Sequence, residues 1–141
     1  HEFAFPGMRI LQFAWGEGDT AERRFLPHRY EPDTVVYTGS HDNDTTLGWW
    51  ASAPESTRHH LREYLATDGR AVHWDLIRAA CASVADTAVY PLQDVMGLDG
   101  AHRMNFPGQS SGWWVWRFAW EQVPADAAAR LRRLCELYDR L

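Results

Sequence analysis

The chain contains 141 residues, which is enough for one domain with a hydrophobic core. Its net charge is -5 and it has no run of basic residues, a combination that argues against nucleic acid as a partner. It shows neither a signal peptide nor an apolar stretch near the ~20 residues that a membrane helix needs. A cytoplasmic protein without a membrane partner is therefore the default expectation.

Tryptophan is unusually frequent, with eight residues, many of them close to Gly, Asn or Asp. A tryptophan ring packs in a core or interface, or against an apolar ligand surface such as the C–H face of a sugar ring, and the sequence leaves both open. The two cysteines, Cys81 and Cys135, lack the CxxC spacing of metal sites. The sequence thus indicates neither a zinc site nor a disulfide framework.

The first part of the chain predicts a buried strand and a long connection. Residues 1–6 lack an initiator methionine and lead directly into a strand pattern, which we interpret as the start of an incomplete chain. Residues 8–15, MRILQFAW, are almost continuously apolar, as is typical of strands buried on both faces of a parallel sheet. Residues 16–34 are rich in Gly, Pro and charge and predict a long surface connection, a type of loop that is often functional.

A second strand is predicted over residues 34–39, where β-branched and aromatic residues precede Gly39. Four consecutive polar residues follow it: His41, Asp42, Asn43 and Asp44. Two carboxylates beside an imidazole are dense enough to bind a polyhydroxylated ligand or a metal, or to stabilise a developing positive charge. The alternative is a structural turn, with Asp44 or Thr45 capping the next helix.

Helical patterns over residues 56–66 and 73–84 and a third strand pattern over residues 88–95 complete an alternation of strands and helices. Such alternation predicts an α/β fold with a parallel sheet. Polar residues at the carboxyl ends of the strands then share one edge, where ligands bind in such sheets. Three strands cannot close a barrel, so the sheet is either open and small or part of a barrel.

The last third of the chain combines an aromatic loop with a helix. Residues 97–120 alternate glycines with aromatic residues and predict either a Gly-hinged loop beside a ligand cleft or a hydrophobic lid. The segment from Pro124 to Leu141 predicts an amphipathic helix whose role is packing.

Three stretches in the same order resemble the amylomaltase family, the 4-alpha-glucanotransferases of glycoside hydrolase family 77. They are GMRILQFAW at residues 7–15, LPHRYEPDTVVYTGSHDNDTTLGWW at residues 26–50 and PLQDVMGLDGAHRMNFPG at residues 91–108. The resemblance implies a (β/α)8 barrel with inserted subdomains. Residues 1–141 would form a single segment, the C-terminal part of that barrel with its last three strands.

The resemblance also implies a reaction: a retaining double displacement that transfers segments of α-1,4-glucan between maltooligosaccharides, without cofactor or metal. Asp42 matches the carboxylate that stabilises the oxocarbenium-like transition state by gripping the 2- and 3-hydroxyls of the sugar. His41 matches its neighbour, which hydrogen-bonds the same sugar. Asn105 is similar to a residue lining the donor cleft, and Phe13 to an aromatic residue on the acceptor side.

The resemblance assigns the nucleophile and the acid/base to earlier strands, and neither has a counterpart in this chain. Glu2 lacks the surroundings of the acid/base and lies too close to the first strand. We therefore expect the isolated chain to be inactive and to associate through unpaired strand edges. Where the family usually has Gly-Asn-Trp, this chain has Gly112-Trp113-Trp114, so the hydrogen bond of that Asn is not expected.

Two other functions compete with this one. A metal-dependent hydrolase would draw its ligands from a set of hard donors: His28, His41, Asp42, Asn43, Asp44, Asp94 and His102. Its weakness is that too few of them stand at the ends of other strands. The second is a non-catalytic carbohydrate-binding or structural module, which the tryptophan content allows.

Overall fold

The computed structural model describes residues 5–16 and 23–141. Glu2 and residues 17–22 of the predicted connection lie outside these ranges. The described strands are β1 (Gly7–Ile10), β2 (Thr34–Tyr37) and β3 (Thr87–Val89), and they form one parallel sheet in the order β1-β2-β3. The prediction of an α/β fold with a parallel sheet is therefore confirmed.

Three helices connect β2 to β3: α1 (Thr46–Ser52), α2 (Glu55–Leu65) and α3 (Val72–Ala82). Two more follow β3: α4 (Leu92–Met96) and α5 (Ala127–Leu137). Short 3-10 turns stand at Leu11–Phe13, Pro27–Arg29, Gly100–His102 and Trp120–Gln122. Within the described ranges, none of these helices has the length and apolar character needed to cross a membrane.

The first and third strands are shorter than the apolar pattern predicts. The chain turns into a 3-10 helix at Leu11. The predicted strand is too long there because an apolar run alone does not distinguish a strand from a buried helical turn. The predicted strand over residues 88–95 was wrong beyond Val89, since Pro91 has no N–H for a sheet ladder and precedes α4 instead. Helices predicted over residues 56–66 and 73–84 are confirmed within two residues at each end.

Helices cover the sheet on the side to which the row Arg9, Val36 and Ala88 points. Val36 is fully buried there, against a core that includes Trp15. The neighbouring row points the other way and begins with Met8, whose exposed fraction is 56%. The expectation of strands buried on both faces is thus wrong for Met8 in the described part of the chain.

A second core lies between α3 and α5, and the C-terminus fastens it. The Arg140 guanidinium donates to the carbonyl oxygens of Cys81 at 2.6 Å, Ser83 at 2.8 Å and Ala85 at 2.8 Å, and to Ala80 at 3.3 Å. Ala80 and Cys81 lie in the last turn of α3, where carbonyls run out of helical partners, and Ser83 and Ala85 follow the helix. The Ala80 carbonyl also accepts from the N–H and hydroxyl of Ser83. Arg140 therefore caps α3 and holds α5 against it.

Candidate active site

The polar segment after β2 forms a tight loop whose shape is set by Asn43. The side-chain oxygen of Asn43 accepts hydrogen bonds from the N–H of Ser40 at 2.9 Å and from its hydroxyl at 2.8 Å. This turn leaves the side chains of His41 and Asp42 57% and 53% exposed. Of the consecutive polar residues, Asn43 builds the loop and the preceding pair faces solvent.

The capping alternative also holds, and it concerns Thr45. The N–H of Gly48 donates to the Thr45 hydroxyl at 3.1 Å, which caps α1. Asp44 instead accepts from the N–H of Thr45 at 2.7 Å. The stretch therefore contains both a structural part, residues 43–45, and an exposed part, His41 and Asp42.

Gln12, which follows the carboxyl end of β1, holds the loop through hydrogen bonds to its backbone. Its Nε2 donates to the carbonyl oxygen of Asp44 at 2.9 Å, and its N–H donates to that of Thr38 at 3.3 Å. A Cβ at Gly39 would lie 2.6 Å from the same Nε2, so a side chain there would push the Gln12 amide out of this contact. The loop thus rests on the neighbouring strand.

The exposed carboxylate of Asp42 has two side-chain neighbours. Nδ2 of Asn105 donates to its Oδ1 at 2.7 Å, and Nε2 of His41 lies 3.4 Å from the same oxygen. Arg103 reinforces this contact, since it donates to the carbonyl oxygens of Asp42 and Asn105, both at 2.6 Å. The loops after β2 and β3 are therefore joined around one carboxylate oxygen.

Trp114 covers the other side of His41. The two ring centroids are 5.1 Å apart and tilted by 44°. Trp114 has a φ of 66°, a left-handed conformation that is unusual for a large side chain, and its N–H donates to the carbonyl oxygen of Met104 at 2.8 Å. The aromatic segment thus contacts the site through Trp114, which is 60% exposed and sits at a strained backbone turn.

Asp94 lies beneath the loop and is 1% exposed. Its Oδ2 accepts from the hydroxyls of Thr38 at 2.6 Å and Thr46 at 2.8 Å, and its Oδ1 accepts from the N–H of Thr46 at 2.7 Å. Burial raises the pKa of this carboxyl above its ordinary value, while the hydrogen bonds from Thr38 and Thr46 oppose that rise. All three donors flank the exposed part of the loop.

A cleft of about 270 Å³ opens between the ends of β2 and β3. Its lining includes His41, Asn43, Tyr90, Gln93 and Arg103, while Asp42 stands beside it without lining it. Burial raises the pKa of the Tyr90 phenol, whose hydroxyl lies 2.9 Å from the sulfur of Cys81. The Arg103 guanidinium is likewise engaged, by two carbonyl oxygens, while the His41 imidazole is largely exposed and can hydrogen-bond a polar ligand.

Phe13 does not join this cluster. It borders a second cleft together with Phe25 and Trp49, and its ring meets that of Phe25 edge to face at 5.5 Å. Phe13 as a whole is 46% exposed. The structure thus brings together His41, Asp42 and Asn105 and places Phe13 at a separate aromatic surface.

The described residues contain no group of three or more His, Cys, Asp or Glu side chains placed to hold a metal ion. His28, one of the possible ligands considered for a hydrolase, instead pairs with Tyr64, whose hydroxyl lies 2.8 Å from its Nδ1. Asp94 is engaged by the two threonines. The geometry therefore gives the metal-dependent reading no support.

Sequence reasoning missed two residues of the cluster. Arg103 immediately precedes the Met104-Asn105 pair, and a cation next to a candidate ligand-binding amide was the available signal. Trp114 was noted only as part of an unusual Gly-Trp-Trp sequence, and its contact with His41 could not be read from that. Both contacts cross more than 60 positions of the chain.

A parallel sheet with helices, bearing a polar cluster where two neighbouring strands end, defines an α/β protein with its site placed as in β/α barrel enzymes. The family model described as 4-alpha-glucanotransferase matches residues 1–122. The chain belongs to the 4-alpha-glucanotransferase family.

Relatives support this assignment. The chain is 45% identical to a chloroplastic/amyloplastic 4-alpha-glucanotransferase of Oryza sativa, over 96% of this chain and 23% of the relative. It is 44% identical to the 4-alpha-glucanotransferase of Thermus thermophilus, over 99% of this chain and 29% of the relative. The structure is similar to an amylomaltase from Streptococcus agalactiae in complex with acarbose, with a TM-score of 0.91, 27% identity, and coverage of 99% of this chain and 28% of that one. The chain thus spans about a quarter of the length of these relatives.

Proposed function

We propose that this chain supplies the transition-state-stabilising part of a 4-alpha-glucanotransferase active site, with Asp42 as the stabilising carboxylate. The observation that carries the proposal is the position of Asp42, exposed at the end of β2 with its Oδ1 held by Asn105 and His41. In the described part of the chain its second oxygen, Oδ2, has no hydrogen-bond partner. That oxygen is free to accept hydrogen bonds from two adjacent sugar hydroxyls.

The chemistry fits this arrangement. Cleavage of a glycosidic bond develops positive charge on the anomeric carbon and ring oxygen. A carboxylate that is already oriented stabilises this charge without reorganising during the reaction, which is the main source of electrostatic catalysis. Asn105 and His41 provide the orientation, and His41 presents a ring nitrogen to the same sugar.

The double displacement also needs a nucleophile and an acid/base. Two further carboxylates belong to the same loop and its support, Asp44 and Asp94, and both are engaged by backbone or hydroxyl groups. We therefore assign both roles to residues outside this chain, in agreement with the greater length of its relatives. On this assignment the chain alone contacts sugar without turning it over.

The proposed substrates are α-1,4-glucans and maltooligosaccharides. The similar amylomaltase was solved with acarbose, which supports a site shaped for such sugars. Trp114 over His41 and the surface of Phe13 and Phe25 offer aromatic faces, and we assign Phe13 to the acceptor side. Transfer between glucans needs positioned carboxylates and no cofactor. The cytoplasmic location stays a prediction, since plant relatives carry chloroplastic names.

The test uses a hybrid enzyme, defined as the Thermus thermophilus relative with its matching segment replaced by this chain. Maltotriose is supplied, and glucose and longer maltodextrins are separated by chromatography. We expect products from the hybrid enzyme, none from the chain alone, and a loss of at least about 100-fold in the hybrid with Asp42→Asn. The control Asp68→Asn removes an exposed carboxylate that pairs with Arg70 and retains activity.

A folded hybrid that is inactive, or one in which Asp42→Asn is harmless, would contradict the proposal. A binding titration addresses the second candidate, a non-catalytic sugar-binding module. Acarbose is added to the chain alone, and the indole N–H signals are followed by NMR. The non-catalytic function would be favoured if the chain alone binds acarbose and the hybrid enzyme keeps its activity with Asp42→Asn.

A further inference from the structure

The loop that carries His41 and Asp42 is held at its base by one buried carboxylate. Thr38 precedes residues 39–45 and Thr46 follows them, and both hydroxyls donate to the same oxygen of Asp94, at 2.6 and 2.8 Å. We infer that Asp94 is a positioning residue that sets the place of Asp42 in the active site. This inference rests on the proposed function of Asp42.

The geometry closes the loop at both ends. Because one oxygen binds both threonines, the two ends of residues 39–45 are drawn to a single point. The other oxygen binds the N–H of Thr46 at 2.7 Å, which fixes the start of α1 in the same place. Asp94 belongs to α4, so the segment after β3 fixes the position of the loop.

The same segment of the chain leads to Asn105, the partner of Asp42. Gln93, next to Asp94, donates to the carbonyl oxygen of His102 at 3.3 Å, and Arg103 then joins Asp42 and Asn105. The loop is therefore positioned twice from one direction, at its base by Asp94 and at its tip by Asn105. The Asp42 carboxylate keeps its orientation only when both contacts are made.

A carboxylate is a costly choice for this place if stability is its only purpose. Asp94 is 1% exposed and is paired with neutral donors, and well-packed apolar groups often stabilise such a site equally well. Three directional hydrogen bonds instead specify the arrangement of the chain around it. Asn at this position keeps the shape but offers only one acceptor oxygen for three donors.

The test measures the hybrid enzyme on maltotriose with Asp94→Asn, Thr46→Val and Thr46→Ser. We expect Asp94→Asn and Thr46→Val to lower kcat by about 10- to 100-fold, since a displacement near 1 Å has effects of this size. KM changes little, because Asp42 acts chiefly on the transition state. Thr46→Ser keeps the hydroxyl and restores most of the activity.

Two further comparisons separate positioning from stability. The double variant Asp94→Asn/Thr46→Val is expected to be no worse than Asp94→Asn alone, because both changes break the same contact. Asp75→Asn is the matched control, since it removes a carboxylate that accepts from Thr67 at 2.7 Å on α3, outside the site. It is expected to leave kcat unchanged.

The outcomes are distinct. An Asp94→Asn hybrid with a lower melting temperature and an unchanged kcat, assayed where it is folded, would overturn the inference. If Asp94→Asn does not fold, equal kcat values for Thr46→Val and Thr46→Ser would do the same. A hybrid in which Asp42→Asn is also harmless would refute the proposed function itself. Faster amide exchange over residues 39–46 in the Asp94→Asn variant would support the inference independently of turnover.

Discussion

The side-chain amide of Asn105 donates a hydrogen bond of 2.7 Å to the carboxylate of Asp42, which stands 63 positions earlier in the chain. The contact joins the loop after β2 to the segment that follows β3 and α4. It also places a neutral donor on one carboxylate oxygen and leaves the other without a partner among the described residues. On the proposed function, this contact, together with the His41 ring, sets how the carboxylate faces a sugar.

Removing the Asn105 amide is expected to lower activity without unfolding the protein. In the hybrid enzyme, Asn105→Ala should reduce kcat/KM by about 10-fold, the equivalent of one charge-assisted hydrogen bond of about 1.4 kcal/mol. Asn105→Asp should be worse, because a second carboxylate beside Asp42 raises the pKa of one of the pair. Steady-state kinetics with maltotriose check both variants, and equal rates for Asn105→Asp and the parent hybrid would contradict the role given to this contact.

The backbone of Trp114 is left-handed, with a φ of 66°, and two substitutions measure how much stability this conformation costs. Trp114→Gly and Trp114→Ala both remove the ring contact with His41. Glycine adopts this φ without strain, so we expect Trp114→Gly to be more stable than Trp114→Ala by about 1 kcal/mol. Urea unfolding of the two variants measures the difference.

Val115→Gly against Val115→Ala is the control for that comparison, because Val115 is exposed and is not among the residues with positive φ. There the order of stability should reverse, since glycine only adds flexibility to the unfolded chain. Trp114→Gly being the less stable of its pair would show that the backbone strain is negligible.

Arg140 is expected to contribute far more to stability than the other arginines of the last segment. Arg140→Ala removes the cap on four carbonyl oxygens at the end of α3 and should cost about 2 to 3 kcal/mol. Arg132→Ala removes only an exposed pair with Glu136 and should cost less than about 0.5 kcal/mol. Urea unfolding at neutral pH checks both, and similar midpoints would show that the cap is not needed.

His73 is expected to make unfolding easier as the pH is lowered below about 6.5, the ordinary pKa of a histidine. Burial lowers the pKa of His73, with Arg130 adding to this effect and Asp94 and Asp75 opposing it. Below that pH the unfolded chain therefore binds the proton more readily than the folded chain, which favours unfolding. His73→Gln should reduce the pH dependence of the urea midpoint between neutral pH and pH 5, and an unchanged slope would contradict the account.

Local patterns were enough for much of the fold. The β-branched run before Gly39 predicted β2, and the apolar spacing in residues 56–66 and 73–84 predicted two helices, because periodicity reflects which side chains face the core. The same reasoning failed where an apolar run had no period. Residues 88–95 were predicted as one strand, and Pro91 divides them into a strand and a helix.

The two cysteines show the same limit over a longer distance. Their spacing gave no reason to connect them, yet the fold of α5 onto α3 brings Cys135 near enough to the Cys81 thiol to affect its pKa. Burial raises the pKa of that thiol, and the Tyr90 hydroxyl lies 2.9 Å from its sulfur. No local pattern contains this neighbourhood.

The sequence by itself determined the parallel α/β arrangement, the polar stretch that follows β2 and the family, because each shows in short stretches of the chain. Only the tertiary structure decided which side chains meet Asp42 and which hold its loop. Asn105, Arg103 and Asp94 reach it from the segment after β3, and Phe13 stands at another surface. Such contacts follow from the register of neighbouring strands and the path of the chain between them, which no short stretch of sequence encodes.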